Sequence, residues 1–304
     1  MEGVGKVHIE NFNYFYLVAK FKSISRVAKS QHISQSALSQ QLQKFEASIG
    51  VSLLERSNKG VTMTRMGEVV MKYSENIIKT YEKMLQEINA VREDLSIVKI
   101  EASHAIADYS LPCTLYKIKE QYSYHRYELI GGSSPSIVDD VLNNICDVGF
   151  VYEDPNLDDL VSEKLGVNTM VLISNYQDPM PSRISIADLF QYPLITLNDK
   201  YEIKRILKKN FQPLGYPYEN LRILFETDSI EALKSSVARG HGLSFVPYIA
   251  VKEELYRKKF KIIEIEGINI AQTVYLISKK GNRQNSSVDE FIDAFRKMGS
   301  NSFC

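Results

Sequence analysis

The chain has 304 residues, 37 Lys and Arg against 37 Asp and Glu, and a hydrophobic content of 44%. That length suggests about two domains, and that apolar content excludes a disordered chain. No run of 18 apolar residues could span a bilayer, residues 1–10 lack the apolar centre of a secretory signal, and Cys113, Cys146 and Cys304 are too few and too scattered for a disulfide framework. A cytoplasmic protein with no membrane association is expected.

A net charge of zero, taken whole, argues against a nucleic-acid binder. Its distribution argues otherwise. Residues 1–65 carry nine basic and four acidic side chains, 66–92 carry four of each, and 93–304 carry 24 basic and 29 acidic. A basic head, a neutral middle and an acidic body point to an anionic partner for one end.

In the head, Ile9, Phe12, Phe15, Tyr16, Val18 and Ala19 recur at helical spacing. Ser23 or Ser25 caps a short second helix ending at Ser30, and residues 31–33 leave room only for a turn. Ser34 caps a third helix to about Ser48, closed by Gly50. Leu38, Leu42, Phe45 and Ile49 form its buried face; Ser36, Ser39, Gln40 and Gln43 line the opposite face, with Gln35 at its edge. Solvent-facing helices normally carry Lys and Glu. Short uncharged amides and hydroxyls suit a major groove, where Gln pairs bidentately with adenine and Ser donates or accepts. Two helices and a tight turn make a helix-turn-helix, with Ser34, Gln35, Ser36, Ser39, Gln40 and Gln43 as candidate contacts to double-stranded DNA. Two short extended pieces, 51–56 and 61–64, read as a hairpin wing that places Arg56 and Lys59 for phosphate or minor-groove contact. A three-helix bundle with a merely polar surface fits the same periodicity.

The stretches FYLVAKFKSISRVAKS (15–30), ISQSALSQQLQKFEASIGVSLLERS (33–57) and GVTMTRMG (60–67) resemble, in order, the DNA-binding domain of LysR-type transcriptional regulators. Four positions depart from the family pattern. Ser36 stands where Pro is usual, Gln40 where Arg is frequent, Gln31 where an apolar residue is usual, and Lys22 where Gly is usual. With Gln40 the resemblance supplies no guanine-reading Arg, so base preference does not carry over.

From Arg65 to about Arg92 there is no Pro, and no Gly after Gly67. Val70, Ile77, Met84 and Val91 recur every seven residues, with Tyr81 and Ile88 between them and Gly67 and Ser74 also on the seam. This is an amphipathic rod of about 40 Å whose apolar stripe needs a partner, most simply a second copy. The resemblance makes it the dimerising linker helix of a homodimer or homotetramer, with RNA polymerase a candidate further partner.

After Leu95, strand and helix alternate. Strands are expected at 97–102, 127–130, 147–152, 169–174, 194–197, 222–225, 243–246 and 273–278. Helices are expected at 111–122, 136–144, 186–190, 201–212, 229–239 and 287–298. Alternation of this kind implies parallel sheet with crossover helices. The reading is a winged helix-turn-helix domain (1–65), a linker helix (66–92) and an α/β effector-binding domain (93–304). That last domain divides into subdomain I (about 96–166 and 270–304) and subdomain II (about 167–269), joined by crossings near 164–168 and 265–272. SLP (110–112), DVGF (147–150) and VARGHGLSFVPY (237–248) are similar to the family's effector-binding domain, which resembles periplasmic solute-binding proteins.

Ligands of such folds lie at strand carboxyl ends against helix N-termini. Ser103, His104, Ser133, Ser134, Tyr152, Thr196, Thr227 and Phe245 are therefore the candidate effector-binding residues, and their hydroxyls favour a small anion. The segment LNDKYEIKR (197–205) replaces a Ser-Gly-Thr-Arg type of turn frequent in the family, bringing in Asp199 and Glu202 beside Lys200, Lys204 and Arg205. A redox-responsive regulator using Cys113 or Cys146 is the alternative, although buried thiols are the usual fate of such cysteines. The five histidines lack metal-ligand spacing, and no phosphate loop, Cys-x-x-Cys pair or nucleophile elbow occurs. Neither an enzyme nor a cofactor is expected.

Overall fold

The computed structural model describes residues 8–57, 60–92, 96–281 and 286–299, which fall into two compact units, Met1–Glu93 and Asp94–Cys304.

The first unit contains α1 (Ile9–Phe21), α2 (Ile24–Ser30), α3 (Gln35–Ile49), β1 (Leu54–Ser57), β2 (Gly60–Met63) and α4 (Arg65–Arg92). The caps expected from serine are present: Ser23 Oγ accepts from the Arg26 amide and Ser34 Oγ from the Ala37 amide at 3.1 Å. Lys22 closes α1 in a left-handed conformation (φ 52°), which explains why glycine suits that position. Its carbonyl accepts from the Val61 amide, tying the end of α1 to the β1–β2 hairpin. Phe15, Val27, Leu38, Leu42, Phe45 and Leu53 form a closed core, with Phe12 edge-on to Phe45 at 4.9 Å. Ile49, expected in that core, is instead 36% exposed, because α3 ends there and the chain turns away through Gly50.

The seam of α4 also differs from expectation along its length. Gly67 and Ser74 are buried, and Val70 packs against the core of this unit. A Cβ on Gly67 would lie 2.2 Å from the Leu53 carbonyl oxygen, so only glycine lets the first turn of α4 approach the wing so closely. Beyond that turn, Ile77, Tyr81, Met84, Leu85 and Ile88 are exposed.

The second unit begins with β3 (Ser96–Ser103), α5 (His104–Tyr109), α6 (Leu111–Gln121), β4 (His125–Gly132), α7 (Ser134–Leu142) and β5 (Val148–Tyr152). It continues with β6 (Leu160–Asn175), β7 (Arg183–Ile184), α8 (Ile186–Leu189), β8 (Leu194–Leu197), α9 (Ile203–Phe211) and β9 (Ile223–Thr227). It ends with α10 (Ile230–Ala238), β10 (Ser244–Pro247), α11 (Lys252–Tyr256), β11 (Phe260–Ile265), β12 (Ile270–Lys279) and α12 (Ser286–Gly299). The main sheet runs β4-β3-β5-β12-β6-β11-β7, with β10 also pairing to β6, and β8 pairs with β9.

Alternation of strand and helix implied parallel sheet, whereas the main sheet is mixed. Among the described strands, parallel pairing joins β4-β3-β5, β7–β11 and β8–β9, with one parallel bridge from Leu194 to Leu243, whereas β12 pairs antiparallel with β5 and β6, and β10 and β11 pair antiparallel with β6. The cause is β6, a 16-residue strand that passes from one core to the next, with β12 returning beside it from Ile270–Met170 to Lys279–Leu160. The two crossings expected as connections are largely ladder. Alternation of strand and helix also failed to reveal α5, α11, β7 and β11. The apolar cores remain separate. One, built on Val98, Ile100, Phe150, Phe291 and Phe295, belongs to the β3–β5 lobe; another, on Leu172, Leu197, Leu207, Phe211 and Val246, belongs to the β8–β11 lobe; a smaller one, on Ile137, Val141, Val151 and Ile277, lies between α7 and the sheet.

Candidate functional sites

The first site is the polar face of α3. Leu38, Leu42 and Phe45 anchor one side of the helix, so the other side is held rigidly outward. Ser34, Gln35, Ser36, Gln40 and Gln43 are exposed and Ser39 half-buried. Ser34 caps the helix and its hydroxyl pairs with that of Ser36 at 3.0 Å, so those two hydroxyls are partly committed to the helix start. The β1–β2 hairpin is fixed from below. Glu46 Oε1 accepts from the Leu53 and Leu54 amides at 2.7 and 3.0 Å. Thr64 Oγ1 donates to the Ser52 carbonyl at 2.8 Å and accepts from the Gly67 amide. The backbone of Arg56 lies in β1; its side chain, and all of Lys59, lie outside the described residues.

The second site is the cleft between the two lobes of the second unit. Ser103, His104, Tyr152, Tyr201 and Glu202 meet there around a cavity of about 10 Å³. His104 opens α5, because β3 runs straight into that helix. Its ring lies 5.0 Å from that of Tyr201, and a Cβ at Gly131 would lie 2.5 Å from its Nδ1, so that glycine makes room for the imidazole. Ser133 precedes α7, and Ser134 is its first helical residue.

Ser134 is the hub. Its hydroxyl donates to Glu202 Oε2 at 2.8 Å and its amide donates to the same oxygen at 3.1 Å. The Tyr152 amide donates into Ser134 Oγ at 3.2 Å. A serine hydroxyl has one proton, and it is committed to Glu202. The Ser103 hydroxyl, 3.0 Å away, is therefore the donor of its bond to Ser134. Glu202 is only 7% exposed; its other oxygen accepts from Arg205 at 2.9 Å. Arg205 and Lys209 both reach across to Glu153, and this pairing, with Lys209 first, holds the Glu153 carboxyl below the usual carboxylate range. A further bond crosses between the lobes, from the Tyr109 hydroxyl on α5 to Glu231 on α10 at 3.0 Å. Burial first, and then the Glu231 carboxylate, pushes the Tyr109 phenol well above its ordinary range. Tyr152 is likewise raised by burial, with its hydroxyl accepting from Asn168.

Thr196, Thr227 and Phe245 are not among the residues lining this cavity. Thr196 is buried in β8 and Thr227 ends β9. Phe245 packs on Phe211 in the second lobe's core and borders a separate groove along β6 and β11. Glu153, Lys209, Tyr109 and Glu231 had no signal in the sequence, since their meeting depends on how the lobes face one another. Cys113 is exposed on α6 and Cys146 is buried before β5; Cys304 lies outside the described residues. Among the described residues no group of His, Cys, Asp and Glu could hold a metal ion, and no helix is long and apolar enough to cross a membrane.

Residues 9–68 match the family model of the bacterial regulatory helix-turn-helix proteins of the lysR family, and residues 93–300 match the LysR substrate binding domain. The "Probable RuBisCO transcriptional regulator" of Trieres chinensis is 27% identical over 284 residues, covering 90% of this chain and 91% of that one. Full-length CbnR complexed with its target DNA shares the fold at 19% identity, with a TM-score of 0.62 over 96% of this chain and all of that one. The effector binding domain of QuiR in complex with shikimate superposes with a TM-score of 0.56 at 17% identity, over 69% of this chain and 100% of that one. With both of its units matched, and the larger match alone covering more than half its length, the chain belongs to the LysR family of transcriptional regulators, a family of DNA-binding proteins and not of enzymes.

Proposed function

We propose that this regulator reads a pseudo-palindromic promoter site as a dimer and answers to a small anionic effector held between the lobes of its second unit. The observation that carries the DNA-reading half is the surface of α3. Its exposed side offers Gln35, Ser39, Gln40 and Gln43, side chains that donate and accept without charge, on a helix locked from behind by Leu38, Leu42 and Phe45. CbnR, of the same fold, is seen on its target DNA. The exposed stripe Ile77, Tyr81, Met84 and Ile88 on α4 supports pairing with a second copy, which would present two reading helices to two half-sites. The effector half rests on Ser103 and Ser134 at the N-termini of α5 and α7, and on QuiR, whose related domain holds shikimate, a small carboxylate. An effector can act only by binding two arrangements of the protein with different affinity.

Footprinting on the DNA flanking the gene tests this reading. A protected site with two half-sites is expected at moderate salt; absence of any protected site, with and without metabolite extract, would refute it. Arg56→Ala should weaken binding to all sequences alike and lower the salt slope by about one, as a phosphate contact does.

A further inference from the structure

The cleft read above as the effector site is already occupied by the chain itself. We infer that Glu202 is a tethered ligand: its carboxylate fills the anion seat at the start of α7, and an acidic effector enters by exchanging with it.

Four observations converge. Glu202 comes from the lobe opposite to Ser134, yet one of its oxygens takes both the Ser134 amide and the Ser134 hydroxyl. Amides at a helix N-terminus have no partner within the helix, and the helix dipole favours negative charge there. Glu202 meets the demands that a bound carboxylate would meet. Second, its remaining oxygen takes Arg205, so both oxygens are satisfied and the charge is balanced inside the cleft. Third, the residual cavity is about 10 Å³, room for at most one water, where small-molecule sites usually hold hundreds. Within that cavity no effector fits beside Glu202; one fits there only in its place. Fourth, Glu202 is a non-glycine residue in a left-handed conformation (φ 60°), between the turn Asp199–Tyr201 and α9. Such a conformation carries a cost that the surrounding contacts must offset, and the Ser134 and Arg205 bonds supply them.

The exchange has a defined route. Arg205 is half-exposed and also pairs with Glu153, so Glu202 can swing outward with its guanidinium partner while an incoming carboxylate takes the Ser134 amide and hydroxyl. Competition with a tethered group is steep, because attachment gives it a high effective concentration. Simple monocarboxylates should leave the wild-type protein unaffected.

Glu202→Ala removes the atoms of an acetate ion and leaves the seat intact. The full-length variant is melted in sodium acetate and in sodium chloride of equal ionic strength. The variant should melt below wild type, and acetate at about five times its dissociation constant should raise its Tm by roughly 2–4 °C over chloride. Wild type should show no difference between the salts. An acetate response equal in the two proteins, or absent from both, would overturn the inference. If the alanine variant does not fold, Glu202→Gln keeps the shape and removes the charge, and the Ser134 amide should exchange its hydrogen roughly tenfold faster. Unchanged exchange would overturn it equally. The inference rests on reading this cleft as the effector site, but these measurements use no DNA. A failed acetate test leaves the operator footprint standing, and a failed footprint leaves the acetate result standing.

Discussion

The outer face of α3 and the cleft between the lobes use the same materials, small hydroxyls and amide groups near helix starts, and leave them in opposite states. On α3, Gln35, Gln40 and Gln43 point to solvent, with their donors and acceptors available. In the cleft, the Ser134 hydroxyl and amide, the Ser103 hydroxyl and both Glu202 oxygens are bonded within the chain. Open hydrogen-bonding capacity on a rigid support marks a surface that awaits a partner. Capacity satisfied from across a cleft marks a site where a partner must compete.

The support under the helix-turn-helix face is the most sensitive point of the molecule. Gly67→Ala places a Cβ 2.2 Å from a backbone oxygen that cannot rotate away, so the wing or α4 must shift. A loss of about 3 kcal/mol or more in the first unit is expected by chemical denaturation. Wild-type stability would show that the close approach does not constrain the wing.

In the cleft, Ser134→Ala removes a hydroxyl that serves Glu202, Ser103 and Tyr152, leaving buried groups unpaired. About 2 kcal/mol of stability should be lost, since the Glu202 carboxylate is one of the partners. Gln35→Ala should behave in the opposite sense. It should leave the melting temperature unchanged within about 0.5 kcal/mol, as exposed substitutions do, while costing about 1–3 kcal/mol of discrimination between operator and non-operator DNA. If Gln35→Ala destabilised the fold, or Ser134→Ala did not, the distinction between an open and a satisfied site would fail.

The smallest effect concerns pH. Pairing with Lys209 and Arg205 lowers the Glu153 carboxyl in the folded protein. A depressed carboxylate stabilises the fold at and above its unfolded pKa, about 4.3, and that contribution disappears as pH falls through the lower folded value. Glu153 is more than a third exposed, so solvent screening keeps the effect below about 1 kcal/mol. Melting from pH 7 down to pH 3 should therefore fall less steeply at its acid end in Glu153→Gln than in wild type; identical slopes would remove Glu153 from the account of cleft closure.

Much of the first unit was legible from residue order because its signals are local. Ser34 before a 4-3-4 apolar repeat, and Gly50 after it, state where a helix begins, which side is buried and where it ends. Ile49 escaped because burial at a helix end depends on the direction the chain takes next. The second unit was legible as strands and helices but not as a sheet. A 16-residue strand such as β6 passes through two cores, and only its apolar stretch at 169–174 carried a strand signature. The cleft was read by rule, from strand ends and helix starts, and that rule located Ser103, His104 and Tyr152 around the cavity with Ser134 bonded beside them. It could not give Glu202 its role. Residues 134 and 202 are 68 apart, and nothing in either neighbourhood says that one will complete the other.

The β6–β12 ladder has a mechanical consequence. Lobes connected by loose loops would hinge freely, whereas two strands bonded along ten registered positions behave as a torsion bar. Any opening of the cleft twists that bar, and its elastic recoil favours return. The register irregularity at Val274 and Tyr275, where a bulge admits extra local twist, is the compliant point of the bar, and it lies where β12 turns to pair with β5. Relative motions of the two lobes should therefore be small rotations that reverse on their own.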